Sequence, residues 1–338
     1  MRVLLTGGTG FVGSHATAAL IRAGHEVRLL VRDPDKVERV FKPHGIRPSD
    51  HVRGDITDAD SVARAIRGCD AVVHAAAIVA TDPASEARIR ETNFVGAKNV
   101  LDAAVAAGCD PIINISSSSA LFPFTTDPVT TDHPVGQFDT AYGQTKAEGE
   151  RYARELQAAG NPVTILYPAG VLGPHDPNMG ELMGGVKVWV TQALPVGGMT
   201  GAYVDVRDIG AAISLAMKPA QGPRRYLLWG HYVTHEALAE EIGTATGRTD
   251  IKTPKVPLGF MKAWGKAGDL ARKYGKDLVV TSEACDYLYN FKPADQSATT
   301  DELGLTFRPL ADTLADTLLW LHESGELTAK AVGDLATR

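Results

Sequence analysis

A glycine-rich segment near the N-terminus constrains the fold of this chain more than any other feature. Residues 6–13 read TGGTGFVG and place Gly7, Gly10 and Gly13 three apart. They follow the apolar run at residues 3–5 and precede helix-forming residues, so the glycines fall on a strand-to-helix turn. Such a turn needs one residue with positive φ, one point where a pyrophosphate approaches the backbone, and one where helix packs closely on strand.

Free amide groups at the start of the helix predict a binding site for a phosphate-bearing ligand, held by hydrogen bonds and the helix dipole. An ordinary Gly-rich surface turn is the alternative. The position directly after the first strand favours the ligand site. The residues assigned to this contact are Gly7, Gly10, Phe11, Val12 and Gly13.

The end of the predicted second strand, Glu26–Val31, indicates which dinucleotide binds there. In the dinucleotide-binding fingerprint, an Asp or Glu about 20 residues beyond the glycines binds the hydroxyls of the adenosine ribose. Arg32 follows this strand directly, and Asp33 comes one residue later. Because a cation at Arg32 pairs with a ribose 2′-phosphate, the sequence favours NADP. NAD is the alternative, with Asp33 turned inward to the ribose.

The ends of the next two predicted strands supply further cofactor contacts. Asp55 ends the third strand, where its carboxylate accepts a hydrogen bond from the adenine amino group while Ile56 packs on the ring. A turn or cap carboxylate is an equal alternative for Asp55. Small side chains after the fourth strand let the cofactor lie close to the backbone, at the edge where open α/β sheets bind ligands. These residues are Ala75, Ala76 and Ala77.

Candidate proton-transfer groups follow the fifth predicted strand. Residues 116–119 are four serines, whose hydroxyls point into the crevice at the carboxyl end of a parallel strand. Tyr142 and Lys146 are four residues apart, so a helix puts the phenol and the ammonium on one face. A free tyrosine has a pKa of about 10, but a nearby cation favours its phenolate and lowers the pKa. The pair is therefore suited to giving or taking a proton.

Strands alternate with helices up to about residue 172, which predicts an α/β fold with a doubly wound parallel sheet of the Rossmann type. We assign residues 1–172 to a dinucleotide-binding domain. Residues 173–338 form a smaller, mixed α/β substrate region intertwined with it. Within the first domain, residues 35–50 contain Pro43, Gly45 and Pro48 and are predicted to be a loop.

Charge and cysteine usage exclude several partner classes. The net charge of −6 has no basic stripe, so no nucleic acid is expected. No apolar run is long enough for a membrane helix and no leader precedes the first strand, so a cytoplasmic location without a membrane partner is expected. Cys69, Cys109 and Cys285 are widely separated, and His231 and His235 lack a third ligand. We therefore expect no metal site.

The glycine turn, the serines at 116–119 and the Tyr142/Lys146 pair together resemble the extended short-chain dehydrogenase/reductase superfamily, also called the NAD(P)-dependent epimerase/dehydratase family. The resemblance is strongest over residues 1–175. It implies Ser118 as the catalytic hydroxyl, with Ser117 as the alternative because a run of four serines leaves the register open. It also implies Tyr142 as general acid/base.

The resemblance implies further roles around the nicotinamide. Lys146 holds the nicotinamide ribose and tunes the tyrosine, and Asn93 supports the site from a long helix at residues 84–107. Pro168 and Val171 lie near the nicotinamide. Subunits of this superfamily commonly pair through the helices that correspond here to 84–107 and 142–158, so a homodimer is expected.

Within the superfamily, the residues at 31–34 and 168–171 look most like dihydroflavonol reductases and their relatives. The expected function is NADP-dependent hydride transfer between the nicotinamide and a carbonyl or secondary alcohol of a small organic substrate. An NAD-dependent sugar-nucleotide epimerase is the alternative, although Ala169 and Gly170 stand where such enzymes carry an Asn. A non-catalytic dinucleotide sensor is a second alternative, disfavoured by the intact Tyr142/Lys146 pair.

Overall fold

The computed structural model of the protein describes residues 1–79, 85–138, 140–273 and 282–337. Its larger sheet has seven parallel strands in the order β3-β2-β1-β4-β5-β6-β9. A smaller sheet has the order β10-β8-β7, with β7 parallel and β10 antiparallel to β8. The strands are β1 Arg2–Thr6, β2 Glu26–Val31, β3 Asp50–Arg53, β4 Ala71–His74, β5 Ile112–Ile115, β6 Val163–Pro168, β7 Gly170–Leu172, β8 Thr200–Asp205, β9 Arg224–Leu228 and β10 His231–Thr234.

Helices flank both sheets, and a π-helical segment, Glu91–Gly96, joins α4 to α5. The helices are α1 Phe11–Arg22, α2 Lys36–Phe41, α3 Ala59–Ala65, α4 Glu86–Arg90, α5 Ala97–Ala106, α6 Ala141–Ala158, α7 Glu181–Thr191, α8 Val206–Leu215, α9 His235–Thr246, α10 Leu258–Lys273, α11 Ser282–Asn290, α12 Leu310–Glu323 and α13 Ala329–Val332. Among the helices of the described ranges, none has the length and apolar character needed to cross a bilayer.

The predicted α/β class with a doubly wound parallel sheet is confirmed. Strand order reverses beside β1, because β2 and β4 lie on its two sides. The carboxyl ends of these strands therefore open into one crevice, which is where such sheets bind ligands. Strand β9, from beyond residue 172, pairs with β6 and completes the large sheet. The boundary between residues 172 and 173 stays a prediction.

The segment at residues 35–50 differs from its predicted loop, because Lys36–Phe41 forms helix α2. Val37, Val40 and Phe41 are buried and pack with the apolar side chains of β1 and β2. Their spacing of three and four places them on one helical face, which tertiary packing stabilises. The helix is too short to show a clear period in sequence, and Pro34 and Pro43 mask it further.

The two sheets meet directly at the carboxyl edge of the large one. Only Ala169 separates β6 from β7, and its amide donates to the Leu228 carbonyl at 3.1 Å. The small sheet packs on a core of its own, formed by side chains of α7, α9 and α12. The chain thus passes from the large sheet into the small sheet within one residue.

Candidate active site

The glycine turn between β1 and α1 is packed too tightly for side chains. Gly7 has a φ of 77°, and a Cβ there would lie 2.6–2.7 Å from backbone atoms of Ala75 and Ala76. A Cβ on Gly13 would lie 2.1 Å from the Gly7 carbonyl oxygen. Gly10 precedes α1 in an extended conformation. Two of the three glycines therefore allow close backbone approach, as the spacing predicts.

A cavity of about 180 Å³ opens beside this turn at the carboxyl ends of the strands. It brings together most of the residues that the sequence assigns to the cofactor. The predicted residues that line it are Gly7, Gly10, Arg32, Asp55, Ile56, Ala75, Ala76 and Ala77. Lys36, Thr92 and Asn178 also line it, and the sequence analysis missed them.

The rim of this cavity beside β2 is cationic. Arg32 and Lys36 are both exposed there, four residues apart at the start of α2. The Asp33 carboxylate instead accepts a hydrogen bond from the Asp35 amide at 3.2 Å, within its own turn. Lys36 was missed because α2 was predicted to be a loop. The helix is what carries its side chain to the same rim as Arg32.

Asp55 has the turn role that the sequence left open, and it also borders the cavity, where its contact with adenine stays a prediction. Its Oδ1 accepts from the amide and the hydroxyl of Thr57, each at 3.0 Å, which is a turn-stabilising arrangement. The same residue lines the cavity. Ile56 is buried against α5, where a Cβ on Gly96 would lie 2.6 Å from its side chain. One face of Ile56 is thereby fixed by packing while the residue borders the cavity.

Tyr142 lies in the first turn of α6, where the Thr140 hydroxyl accepts from the Gly143 amide and caps the helix. Its phenol lies beside Ser117 and Ser119, and hydrogen bonding with these two serines opposes the rise that burial causes in its pKa. Ser118 is buried, and its hydroxyl lies 2.8 Å from the Tyr287 hydroxyl of α11. The structure therefore turns Ser117 and Ser119 toward Tyr142 and Ser118 toward Tyr287. Tyr287 was missed because its proximity depends on tertiary packing alone.

Burial controls the proton affinity of both members of the Tyr142/Lys146 pair. Burial raises the pKa of Tyr142, and its hydrogen bonds with Ser117 and Ser119 oppose this rise. Burial lowers the pKa of Lys146 to about 8, against the opposing effect of Glu150. The Lys146 ammonium donates to the Ile115 carbonyl at 3.5 Å. The sequence predicts a lowered tyrosine pKa next to the lysine, whereas burial raises the pKa of Tyr142 and the opposing effects come from Ser117 and Ser119.

A buried carboxylate lies one helical turn beyond Lys146. Glu150 accepts from the Ser116 hydroxyl at 2.7 Å and from the Tyr167 hydroxyl at 2.6 Å. Its Oε1 also forms an ion pair with Arg154 at 2.7 Å. Glu150, Ser116 and Lys146 line a small cavity of about 20 Å³. The four-residue spacing of Lys146, Glu150 and Arg154 was the sequence signal that could have identified this network.

Two side chains border the small cavity from the other direction. His74 ends β4, and its Nδ1 lies 2.7 Å from the Thr6 hydroxyl. Burial, assisted by the Lys146 charge, lowers the pKa of His74 to about 3. Asn93, in the π-helical segment, accepts from the Ile78 amide at 2.7 Å and donates to the Ile78 carbonyl at 2.9 Å. Asn93 thus fixes the backbone that follows Ala75, Ala76 and Ala77.

The remaining predicted residues lie around the junction of the sheets and the start of α1. Pro168 ends β6 opposite Leu228, and Val171 pairs with Val204 in the small sheet. Phe11 and Val12 open α1, half-buried, on the far side of the turn from β1. None of these four belongs to the described lining of the two cavities.

Acidic, cysteine and histidine side chains do not form a metal site in the residues that the structure describes. His231 lies on β10, and the Thr234 hydroxyl accepts from the Ala237 amide as the N-cap of α9. The two histidines at 231 and 235 therefore belong to different elements.

Comparisons with known proteins identify similar chains. The sequence profile of the NAD dependent epimerase/dehydratase family matches residues 3–228. The putative dihydroflavonol 4-reductase of Synechocystis sp. is 28% identical over 342 aligned positions, which cover 95% of this chain and 94% of that protein.

Solved structures share the fold. The crystal structure of gox2253 matches with a TM-score of 0.79 at 24% identity, covering 97% of this chain and 99% of that one. UDP-glucose-4-epimerase (galE) from Stenotrophomonas maltophila, solved with bound NAD and formylated UDP-arabinopyranose, matches with a TM-score of 0.75 at 23% identity. That match covers 96% of this chain and 99% of the epimerase.

Proposed function

The chain belongs to the NAD dependent epimerase/dehydratase family of extended short-chain dehydrogenases/reductases, and on this premise we propose that it is an NADP-dependent carbonyl reductase of small organic molecules. Family membership makes the protein an NAD(P)-dependent oxidoreductase. The observation that carries the finer proposal is the contact of the Tyr142 phenol with Ser117 and Ser119. It puts a protonated donor beside hydroxyls that are suited to orienting a carbonyl oxygen.

The residues of the large cavity fit a dinucleotide. The absence of side chains at Gly7 and Gly10 leaves the amide-rich start of α1 open to a pyrophosphate. Arg32 and Lys36 hold the 2′-phosphate at the cationic rim, which is the support for NADP over NAD. Lys146 holds the nicotinamide ribose. When bound, the nicotinamide supplies the hydride to the substrate carbon, and the protein supplies placement and electrostatics.

Proton transfer falls to Tyr142 in the reductive direction. Its raised pKa keeps the phenol protonated at neutral pH, so it donates to the oxygen as negative charge develops there. Ser117 orients that oxygen. We favour it over Ser118, the residue implied by the resemblance, because the Ser118 hydroxyl is turned to Tyr287. The Ser117 hydroxyl instead lies beside Tyr142 and accepts from Ser119, which leaves its own proton for the substrate oxygen. Lys146 carries its charge below a pH of about 8 and so stabilises the phenolate formed after the transfer.

A sugar-nucleotide epimerase is the second candidate. The galE-type epimerase shares the fold and was solved with NAD and a UDP-sugar. The reductase is favoured because Arg32 and Lys36 suit a 2′-phosphate and because the Synechocystis relative is named a reductase over nearly the whole chain. NAD retained through purification would instead favour the epimerase. A sensor without turnover is the third candidate.

The test is NADPH consumption across aldehydes, ketones and UDP-sugars, with Tyr142→Phe as the diagnostic variant. Loss of the proton donor should lower kcat by about 10²- to 10⁴-fold while NADPH affinity stays unchanged. Tyr152→Phe is the matched control, because Tyr152 lies on the same helix and contacts Asp102 and Lys98 instead. Full turnover by Tyr142→Phe would exclude this mechanism.

Two serine variants complete the experiment. Ser117→Ala should lower kcat more than Ser118→Ala. Of these two serines, Ser117 faces the tyrosine that donates the proton, whereas Ser118 faces Tyr287. The reverse order would return the role to Ser118. If every variant and the parent bind NADPH but no substrate is consumed in any assay, the sensor is favoured.

A homodimer and a cytoplasmic location stay predictions. For the homodimer, support comes from the helices at 86–106 and α6, which pack side by side. Val95 is exposed on the π-helical segment between α4 and α5, which leaves an apolar side chain on this surface.

A further inference from the structure

Helix α10 carries an exposed apolar surface that the proposed reaction does not use. Its exposed large apolar residues are Leu258 (39%), Phe260 (60%), Trp264 (47%) and Leu270 (56%). Elsewhere in the described ranges such residues stand singly on separate elements, for example Val188 on α7. The Phe260 and Trp264 rings pack edge to face with centroids 5.9 Å apart. An apolar patch of this kind on one helix marks an interaction site.

The side of α10 next to this aromatic pair is already packed. Met261, Gly265 and Gly268 are buried, and α10 lies against α11. The Cys285 thiol of α11 donates to the Met261 carbonyl at 3.3 Å. Phe260 and Trp264 therefore stay exposed beside a helix side that is fixed to the protein.

Charge around α10 is opposite to that of the rest of the chain. Residues 252–273 contain six basic residues and one acidic residue. The remainder of the chain has 28 basic and 39 acidic residues. Lys262 and Lys266 are exposed and one helical turn apart, and the helical period places them on the other side of α10 from Phe260 and Trp264. A basic, aromatic, amphipathic helix is the composition that binds anionic lipid surfaces.

We propose that α10 docks the protein on an anionic lipid bilayer, with Phe260 and Trp264 entering the headgroup boundary and Lys262 and Lys266, on the polar side of the helix, attracting the anionic surface. A second copy of this chain fits less well, because a symmetric contact would place like-charged helices together. The sequence analysis expected no membrane partner for want of a spanning segment. A helix that lies on the surface needs no spanning length.

Helix α11 lies between α10 and the candidate active site. Helix α11, on which α10 packs, carries Tyr287 against Ser118 and Glu283 against Thr140, the N-cap of α6. A bilayer at α10 would therefore lie close to the site. The lipid contact does not depend on the proposed reaction, so either one can fail without the other.

Vesicle co-sedimentation of the full chain tests the proposal. We expect the protein to sediment with phosphatidylcholine vesicles that contain phosphatidylglycerol, and much less with phosphatidylcholine alone or at high salt. Lys262→Gln/Lys266→Gln should weaken partitioning by about 30-fold, since each cation near the surface contributes about 1 kcal/mol. Phe260→Ser/Trp264→Ser should weaken it by at least about tenfold.

Val188→Ser is the matched control, because Val188 is similarly exposed on α7, and it should bind like the parent. Thermal unfolding of each variant checks that these exposed substitutions leave the fold intact. No sedimentation of the parent with anionic vesicles would overturn the proposal, as would binding that neither double variant changes. Self-association lost in Phe260→Ser/Trp264→Ser, without vesicle binding, would assign the face to a second copy instead.

Discussion

Four side chains of α6, spaced one turn apart, run from the candidate active site into the core. Tyr142 contacts the serines, Lys146 follows it, and Glu150 and Arg154 form a buried ion pair beyond them. Burial alone would favour a neutral lysine, and the Glu150 carboxylate opposes this effect. Ser116 and Tyr167 hold the carboxylate in place by hydrogen bonds. The charge on Lys146 thus depends on a carboxylate that the core holds one helical turn away.

Arg32 and Lys36 should determine the choice of dinucleotide. We predict tighter binding of NADPH than of NADH, and a preference reduced about tenfold in Arg32→Ala or Lys36→Ala, because each removes a charge-assisted contact with the 2′-phosphate. Fluorescence titration with both cofactors measures this. Lys42→Ala, an exposed lysine just beyond α2, is the control and should keep the preference. Equal affinities of the parent for NADPH and NADH would refute the assignment.

At the scale of elements, the parts predictable from sequence were those with local signals. The turn at Gly7 and Gly13 was predictable because φ and close packing admit only glycine there. Helix α2 was not, because its stability comes from packing of Val37, Val40 and Phe41 rather than from a long periodic pattern. Lys36 was missed with it. Tyr287 was beyond sequence reasoning, since it lies 169 residues from Ser118 along the chain.

Three elements meet through histidines behind the glycine turn. His15 of α1 packs against His44, after α2, with ring centroids 4.5 Å apart, and His44 lies 5.7 Å from His175, after β7. The His15 Nε2 donates to the Pro174 carbonyl at 2.9 Å. Burial lowers the pKa of His15 to about 3 and of His44 to about 4. Charges facing the cluster come from Arg22, Asp205, Arg207 and Glu323.

We predict that this cluster destabilises the protein in mild acid. The unfolded histidines take protons near their ordinary pKa of 6.5, whereas the folded ones do so only near 4 and below. The free energy of unfolding should therefore fall as the pH drops below about 6.5, by on the order of 2 kcal/mol for each of the two histidines at about pH 5. Urea unfolding at about pH 6.5 and at about pH 5 measures this loss of unfolding free energy.

His44→Gln should reduce this pH dependence, because it removes one of the groups that protonate only on unfolding. His51→Gln is the control, since His51 is exposed on β3. The interpretation fails if the parent is equally stable at the two pH values, or if His44→Gln loses as much stability in acid as the parent.

At the scale of the whole molecule, the surface formed by α6 and the helices at 86–106 concerns how subunits assemble. We predict a dimer through α6 and the helices at 86–106, and sedimentation velocity should give twice the monomer mass. Val95→Glu should weaken the dimer at least about tenfold, because it buries a charge in an apolar contact. Val188→Glu, on α7, should leave the mass unchanged. A parent that stays monomeric at micromolar concentration would refute the dimer.

The single residue between β6 and β7 limits how this molecule can move. Because Ala169 is bonded to Leu228 of β9, the connection is a continuation of the large sheet rather than a hinge. A hinge needs residues free to change their backbone angles, and here both neighbours are held in strands. We therefore expect this connection to resist a clamshell motion between the two sheets. Substrate and product would then enter and leave through local displacements of the surrounding helices. The distance between the two sheets across the crevice would stay as folding sets it.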